Sequence, residues 1–256
     1  MSGPEPGFAY AQARLQARYG SRPSAADWSH VAATADLGAL LQVLRNSRLA
    51  RWTARMGQRP GRHEVERRLR EEWLRAVDEV AEWHPEPWRP AIRWLRWIVY
   101  LPSLQMLARG GRAPAWARGD AVLGPVVAGG PAERAASLRR TALAPLAGPA
   151  TTGSGMGAHW ATHWRRLWPA RSASRTLLEA LLREVGHLGD DLAMADSAGR
   201  ADDALATFER HMVLAFRRNP ITPAASVAWL ALLALDVRRL RGGLATRALR
   251  EDAVSP

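Results

Sequence analysis

The stretch "LRNSRLA", Leu44 to Ala50, returns 94 residues later as "LRRTALA", Leu138 to Ala144. Leu, Arg, Leu and Ala recur, and Ser47 is answered by Thr141, a small hydroxyl residue in both places. Each copy follows two short helical segments, and each half of the chain then closes with a pair of long ones. The closing helix begins after a proline and meets a di-glycine both times: "PAIRWLRWIVYLPSLQMLARGG" from Pro90 and "PAASVAWLALLALDVRRLRGG" from Pro223. Trp94-Leu95 and Trp229-Leu230 stand 135 residues apart, so the second half carries an insertion of 41 residues. The pattern predicts two pseudo-repeats, over 8–111 and 112–250, with the insertion at about 149–196.

The periodicity predicts an all-α helical bundle. Phe8, Gln12, Leu15 and Tyr19 share one helical face, and Ser24 with Asp27 has the spacing of a capping box. Short helices over about 25–33 and 36–46 follow. Val65, Leu69, Trp73, Ala76, Val77 and Val80 form an apolar stripe that stops near Pro85 and Pro87. A second long helix is expected from Pro90 to Arg109, kinked at Pro102. After Gly110-Gly111 short helices are expected at Asp120–Ala128 and Pro131–Arg140, and "GPATTGSGMG", Gly148–Gly157, reads as a linker. Three further amphipathic helices follow, at about 172–195, through Leu205 to Phe216, and over about 223–241, the last stopping at Gly242-Gly243. No stretch alternates with the period of a strand.

Composition narrows the function. In 256 residues there is no Cys, so disulfides, thiolate nucleophiles and Cys-based zinc sites are excluded. All 36 basic residues are Arg and the formal net charge is +12, which favours acidic partners, anionic lipid or nucleic acid. No apolar run reaches the length of a membrane span, and the polar start has no secretory signal, so a cytoplasmic protein is expected. The twelve Trp, four of them crowded at Trp83, Trp88, Trp94 and Trp97, are read as helix-packing residues before interface residues.

Few motifs carry chemistry. His159 and His163 in "HWATH" have metal-ligand spacing, but Trp160 stands where a zinc protease needs its Glu, so the pair reads as surface or packing. "TTGSGMG" follows no strand and precedes no Lys, which removes the phosphate-loop reading. Asp190-Asp191 and Asp202-Asp203 flank helix ends, where Asp caps. The arginines of "ERRLR", 66–70, alternate with Glu, as on a solvated helix face. Nucleic acid is therefore not the expected partner, and no catalytic constellation, cofactor site or metal site is predicted.

The same stretches resemble a family. "GFAYAQARLQARYG", "SAADW" and "ADLGALLQVLRNSRLARW" are similar to the opening of the C/d subunits of V-type and A-type rotary ATPases, which carry a Leu-Arg-x-Thr-x-Tyr-like element. Leu44, Arg45 and Ser47 fit that element, and Leu138, Arg139 and Thr141 fit its second appearance. The family's closing helix bears an acid and then an Asn-Leu-Lys/Arg-like triplet. Asp236 takes the acid position, Arg239 the Asn, and Leu240 and Arg241 the last two. In the first half Tyr100 stands at the acid and Ser103–Gln105 at the triplet, and there is room for two repeats where typical members have three. The resemblance implies a non-catalytic subunit on the cytoplasmic face of the membrane, coupling the central rotor shaft to the proteolipid ring that translocates ions. The alternative is a basic helical adaptor for nucleic acid or an anionic membrane. On the coupling reading Arg238 and Arg241, which share a helical face, would contact a partner, with Arg239 rotated off it. Asp236 and Leu240 would be structural, and Asp236 would pair with an arginine of its own helix end.

Overall fold

The computed structural model describes residues 7–152 and 155–254, and among them there are helices and turns but no strand. The chain opens with α1 (Phe8–Gly20), α2 (Ala25–Ala33), α3 (Leu37–Arg45) and the single turn α4 (Ala50–Thr53). α1 buries Phe8, Ala11 and Leu15 and stacks Tyr19 on Phe216, with ring centroids 4.7 Å apart. The capping box forms: the Asp27 N–H donates to Ser24 Oγ at 3.2 Å and the Ser24 N–H to Asp27 Oδ2 at 2.7 Å. Asp36 caps α3 in the same manner, accepting from the Ala39 N–H at 2.7 Å.

α5 (Arg62–Glu82) buries the whole apolar stripe from Val65 to Val80. The long helix expected over 90–109 is broken into α6 (Arg89–Trp94), a 3-10 segment (Leu95–Tyr100) and α7 (Leu101–Ala108). A 3-10 helix eclipses residues three apart, so Trp94, Trp97 and Tyr100 can all be buried on one side. An α-helix would have rotated them progressively out of the core. Pro102 sits in the first turn of α7, where its missing N–H costs nothing. Gly110, at φ 81°, takes the left-handed position that ends the run.

The Asp120–Ala128 helix is also shorter than expected. Residues Ala115–Gly119 form a 3-10 turn, and Asp120 Oδ1 accepts the N–H groups of Val122 and Leu123 at 2.8 and 2.9 Å. That holds the chain in a turn and leaves only α8 (Gly124–Ala128). α9 (Pro131–Arg139), a 3-10 turn (Ala144–Leu146) and α10 (Pro149–Thr152) follow. The expected glycine linker thus contains α10 and the start of α11 (Met156–Arg166), while Gly153 and Ser154 lie outside the described residues. α12 (Arg175–Met194), α13 (Ala198–Arg218) and α14 (Pro223–Val254) complete the chain.

α14 is the spine, packed against α13, α5, α1, α12 and α3. It does not stop at Gly242-Gly243 but continues to Val254. Leu240, Leu244 and Ala248, four residues apart, are fully or almost fully buried. Arg247 donates to the carbonyls of Thr34 at 2.6 Å and Val31 at 2.9 Å, satisfying the open end of α2. Each buried Leu contributes about 1.5–3 kcal/mol, more than the roughly 1 kcal/mol that each helical Gly costs. The helix therefore runs through the pair.

The two Leu-Arg-x-Ser/Thr stretches fold alike. α3 and α9 each have nine residues and begin and end 94 positions apart. Ser47 Oγ donates to the Leu44 carbonyl at 2.9 Å and accepts from the Leu49 N–H at 3.1 Å. Thr141 Oγ1 donates to the Leu138 carbonyl at 2.8 Å and accepts from the Leu143 N–H at 3.1 Å. Leu44, Leu49, Leu138 and Leu143 are all at 0% exposure. The hydroxyl at this position bridges the end of one helix to the next turn, which explains why a small hydroxyl residue recurs. A single hydrophobic core takes residues from both halves of the chain.

Candidate functional site

The closing helix brings the sequence-singled residues to one region. Asp236 is 2% exposed, and its partner is not an arginine of its own helix end. Arg22, in the loop after α1, donates to it twice, from Nε at 2.8 Å and Nη2 at 2.9 Å. Arg22 Nη2 also reaches Glu209 of α13 at 2.7 Å. One guanidinium thus ties the α1–α2 loop to both α13 and α14. Burial lifts the Asp236 carboxyl above the ordinary carboxylate range, with Arg22 pulling the other way. The Arg22 guanidinium, despite its own burial, is held above its ordinary value by the two carboxylates and stays charged. The expectation of a local pair failed because Arg238, Arg239 and Arg241 turn away from the buried side of α14, which Asp236 and Leu240 occupy.

Those three arginines border a groove of about 720 Å³ between α13 and α14, facing Asp202, Asp203 and Glu209. Arg238 is exposed, with no carboxylate at ion-pair distance among the described residues. Arg241 leans toward Glu66 of α5 at 3.7 Å. Arg239 lies over the Trp28 ring, 5.1 Å from its centroid, and 3.7 Å from Glu209. Its side chain remains 55% exposed, and it borders the same groove as Arg238 and Arg241. Leu240, at 0% exposure, anchors the segment in the core.

The remaining sequence features resolve as packing. Trp83, Trp88, Trp94 and Trp97 are all buried. The Trp73, Trp94 and Trp164 indole N–H groups donate to the carbonyls of Arg96, Trp160 and Ala91, at 3.2, 3.2 and 2.8 Å. His159 is exposed and bonds the Gly155 carbonyl, and His163 lies against the Trp94 ring at 4.3 Å. Among the described residues no three His, Cys, Asp or Glu side chains gather to hold a metal. In "ERRLR", Arg67 and Arg68 pair with Glu71 at 2.9 and 3.0 Å, and Arg70 lies 3.6 Å from Glu66. Arg70 also sits 3.7 Å from the Trp116 ring centroid, and burial lowers its pKa from the ordinary value. Tyr100, at the first half's acid position, is buried and donates its hydroxyl to Asp120 at 3.0 Å. Burial and that carboxylate raise its pKa above the ordinary tyrosine value.

One pair escaped sequence reasoning. The Ser226 hydroxyl donates to His84 Nε2 at 2.7 Å, and His84 Nδ1–H donates to the Val80 carbonyl at 2.7 Å. This is the arrangement of a nucleophile and its base, but Ser226 and His84 are 0% and 2% exposed. No substrate can reach the hydroxyl. The pair is a buried tie between the end of α5 and the start of α14, and burial depresses the His84 pKa to about 4, keeping the ring neutral. Its members lie 142 residues apart, with no motif to join them. No protein-family model, curated protein or solved structure matches this chain.

Proposed function

We propose that this chain is a non-catalytic coupling subunit of a V-type or A-type rotary ATPase, linking the central rotor shaft to the membrane-embedded proteolipid ring. The observation that carries the reading is the pair of Leu-Arg-x-Ser/Thr turns. They share helix length, hydrogen bonds and burial at a constant offset of 94 residues, which supports duplication of a helical unit of the kind the resemblance implies. Asp236, at the family's acid position, ties helices together and touches no reactive group, in keeping with a structural role. Arg238 and Arg241 border a groove open to a partner, where charge complementarity steers assembly more than it adds affinity. On this reading the protein is peripheral on the cytoplasmic face. The helices accord with that: among the described residues none is long and apolar enough to cross a membrane.

The basic-adaptor alternative loses support from the ion-paired arginines of 66–70, which have neighbouring carboxylates in place of phosphates. Co-sedimentation separates the two. The purified chain should pellet with membranes carrying the proteolipid ring and stay soluble with ring-free anionic vesicles at physiological salt. Equal pelleting with both would replace the coupling reading with general anionic-surface binding.

A further inference from the structure

The groove between α13 and α14 carries more charge than its own residues satisfy. Arg238 and Arg241 stand on its α14 wall, Asp202 and Asp203 on its α13 wall, and all four are exposed. Arg238, Asp202 and Asp203 have no opposite charge at ion-pair distance among the described residues, and Arg241 comes no nearer than 3.7 Å to Glu66. Leu205, Ala206 and Leu235 line the same groove and give it apolar surface.

Walls of opposite sign select the class of occupant. A phosphate polymer or an anionic lipid surface would meet Asp202, Asp203 and Glu209 wherever it met the arginines, and like charges oppose docking. The occupant therefore carries both signs, spread along the roughly 10 Å of helix that each wall contributes. A polypeptide surface does this, and the chain itself supplies one. The short turn over 219–222 makes α13 and α14 antiparallel neighbours, so Arg241 and Asp202 lie toward the same end of the groove. A two-fold axis running along the groove exchanges its walls while keeping that level. It sets the α14 arginines of one copy over the α13 aspartates of the other, and the reverse. We infer that the groove is a self-association surface, where two copies of this chain pair face to face through Arg238 and Arg241 against Asp202 and Asp203. The inference does not rest on the coupling reading, and a ring or shaft seated on the same arginines would exclude the second copy. The lining is smaller than the roughly 20–30 residues a side of a stable interface, so the dimer is weak and reversible.

Sedimentation equilibrium of the purified whole chain, with neither ring nor vesicles present, tests this. At about 0.01 M salt the mass should rise with protein concentration from monomer toward dimer, and about 1 M salt should weaken association at least about tenfold, because exposed pairs are screened. Arg238→Glu combined with Arg241→Glu should leave the chain monomeric, and so should Asp202→Lys combined with Asp203→Lys. Helicity should be retained in both, since the four side chains are exposed. An equimolar mixture of the two variants should dimerise again, because an acidic groove then meets a basic one. A monomer at every concentration and salt would overturn the inference. A dimer that survives either double substitution, or a mixture that stays monomeric, would overturn the pairing across the groove.

Discussion

Replacing Asp236 with Ala removes the carboxylate that holds Arg22 from both Nε and Nη2. Breaking a buried pair from one side costs about 3–5 kcal/mol, because the remaining charge stays dehydrated. Arg22 keeps Glu209 at 2.7 Å, and its side chain is 14% exposed, so the lower end applies. The expected loss is about 3 kcal/mol, read from urea unfolding followed by tryptophan fluorescence and circular dichroism at an unchanged m-value. Arg22→Ala should cost a similar amount at neutral pH, with a coupling energy of about 2 kcal/mol in the double-mutant cycle. The two single variants then diverge with pH. In Arg22→Ala the stranded Asp236 has a folded pKa above its unfolded value. The penalty is therefore fully present above the folded pKa and is relieved as pH falls through it. Asp236→Ala has no such carboxylate, so its deficit should not shrink in the same way. A loss below about 0.5 kcal/mol for Asp236→Ala, or no pH dependence in the Arg22→Ala deficit, would refute the tie between the α1–α2 loop and α14.

Further outcomes follow from the same structure. His84 is neutral in the fold with its pKa depressed to about 4, whereas the unfolded chain binds a proton below about 6.5; stability should fall by about 3 kcal/mol as pH drops from 6.5 to 4. His84→Gln should flatten that part of the pH–stability curve, and an unaltered curve would contradict a neutral buried ring. Leu244→Ala should cost about 2–5 kcal/mol by leaving a cavity between α14 and the core; a neutral result would mean that the helix beyond Gly242-Gly243 is not docked. The double substitution of Arg238 and Arg241 by Gln should weaken binding to the ring or shaft at low salt and flatten its salt dependence. The fold should change by less than about 1 kcal/mol, since both side chains are largely exposed.

What could be read from the chain followed from local rules. The stripe Val65–Val80 places α5 by spacing alone, and Ser24 with Asp27 marks a helix start through hydrogen bonds spanning three residues. The failures came where tertiary burial overrode a local signal. A di-glycine read as a helix stop is carried through by the burial of Leu240, Leu244 and Ala248 and by Arg247, whose carbonyl partners Val31 and Thr34 lie more than two hundred residues away in sequence. The 90–109 segment satisfies both helical patterns, and burial of Trp94, Trp97 and Tyr100 together selects the three-residue turn. At the candidate site, Asp236 was singled out as structural by its place at the acid position of the resemblance, and the fold buries it. Its partner Arg22 was not, since the 214 residues between them carry no pattern that pairs them. The same holds for Ser226 with His84, where only the fold supplies the proximity.

The central claim, that the chain couples a rotor to a proteolipid ring, is tested most directly by size-exclusion chromatography of the purified chain mixed with purified ring in detergent. The account expects a co-eluting complex that persists at physiological salt, weakens at high salt and is weakened at low salt by the Arg238/Arg241 double substitution. Separate elution of chain and ring at every salt concentration, with both partners folded, would contradict it.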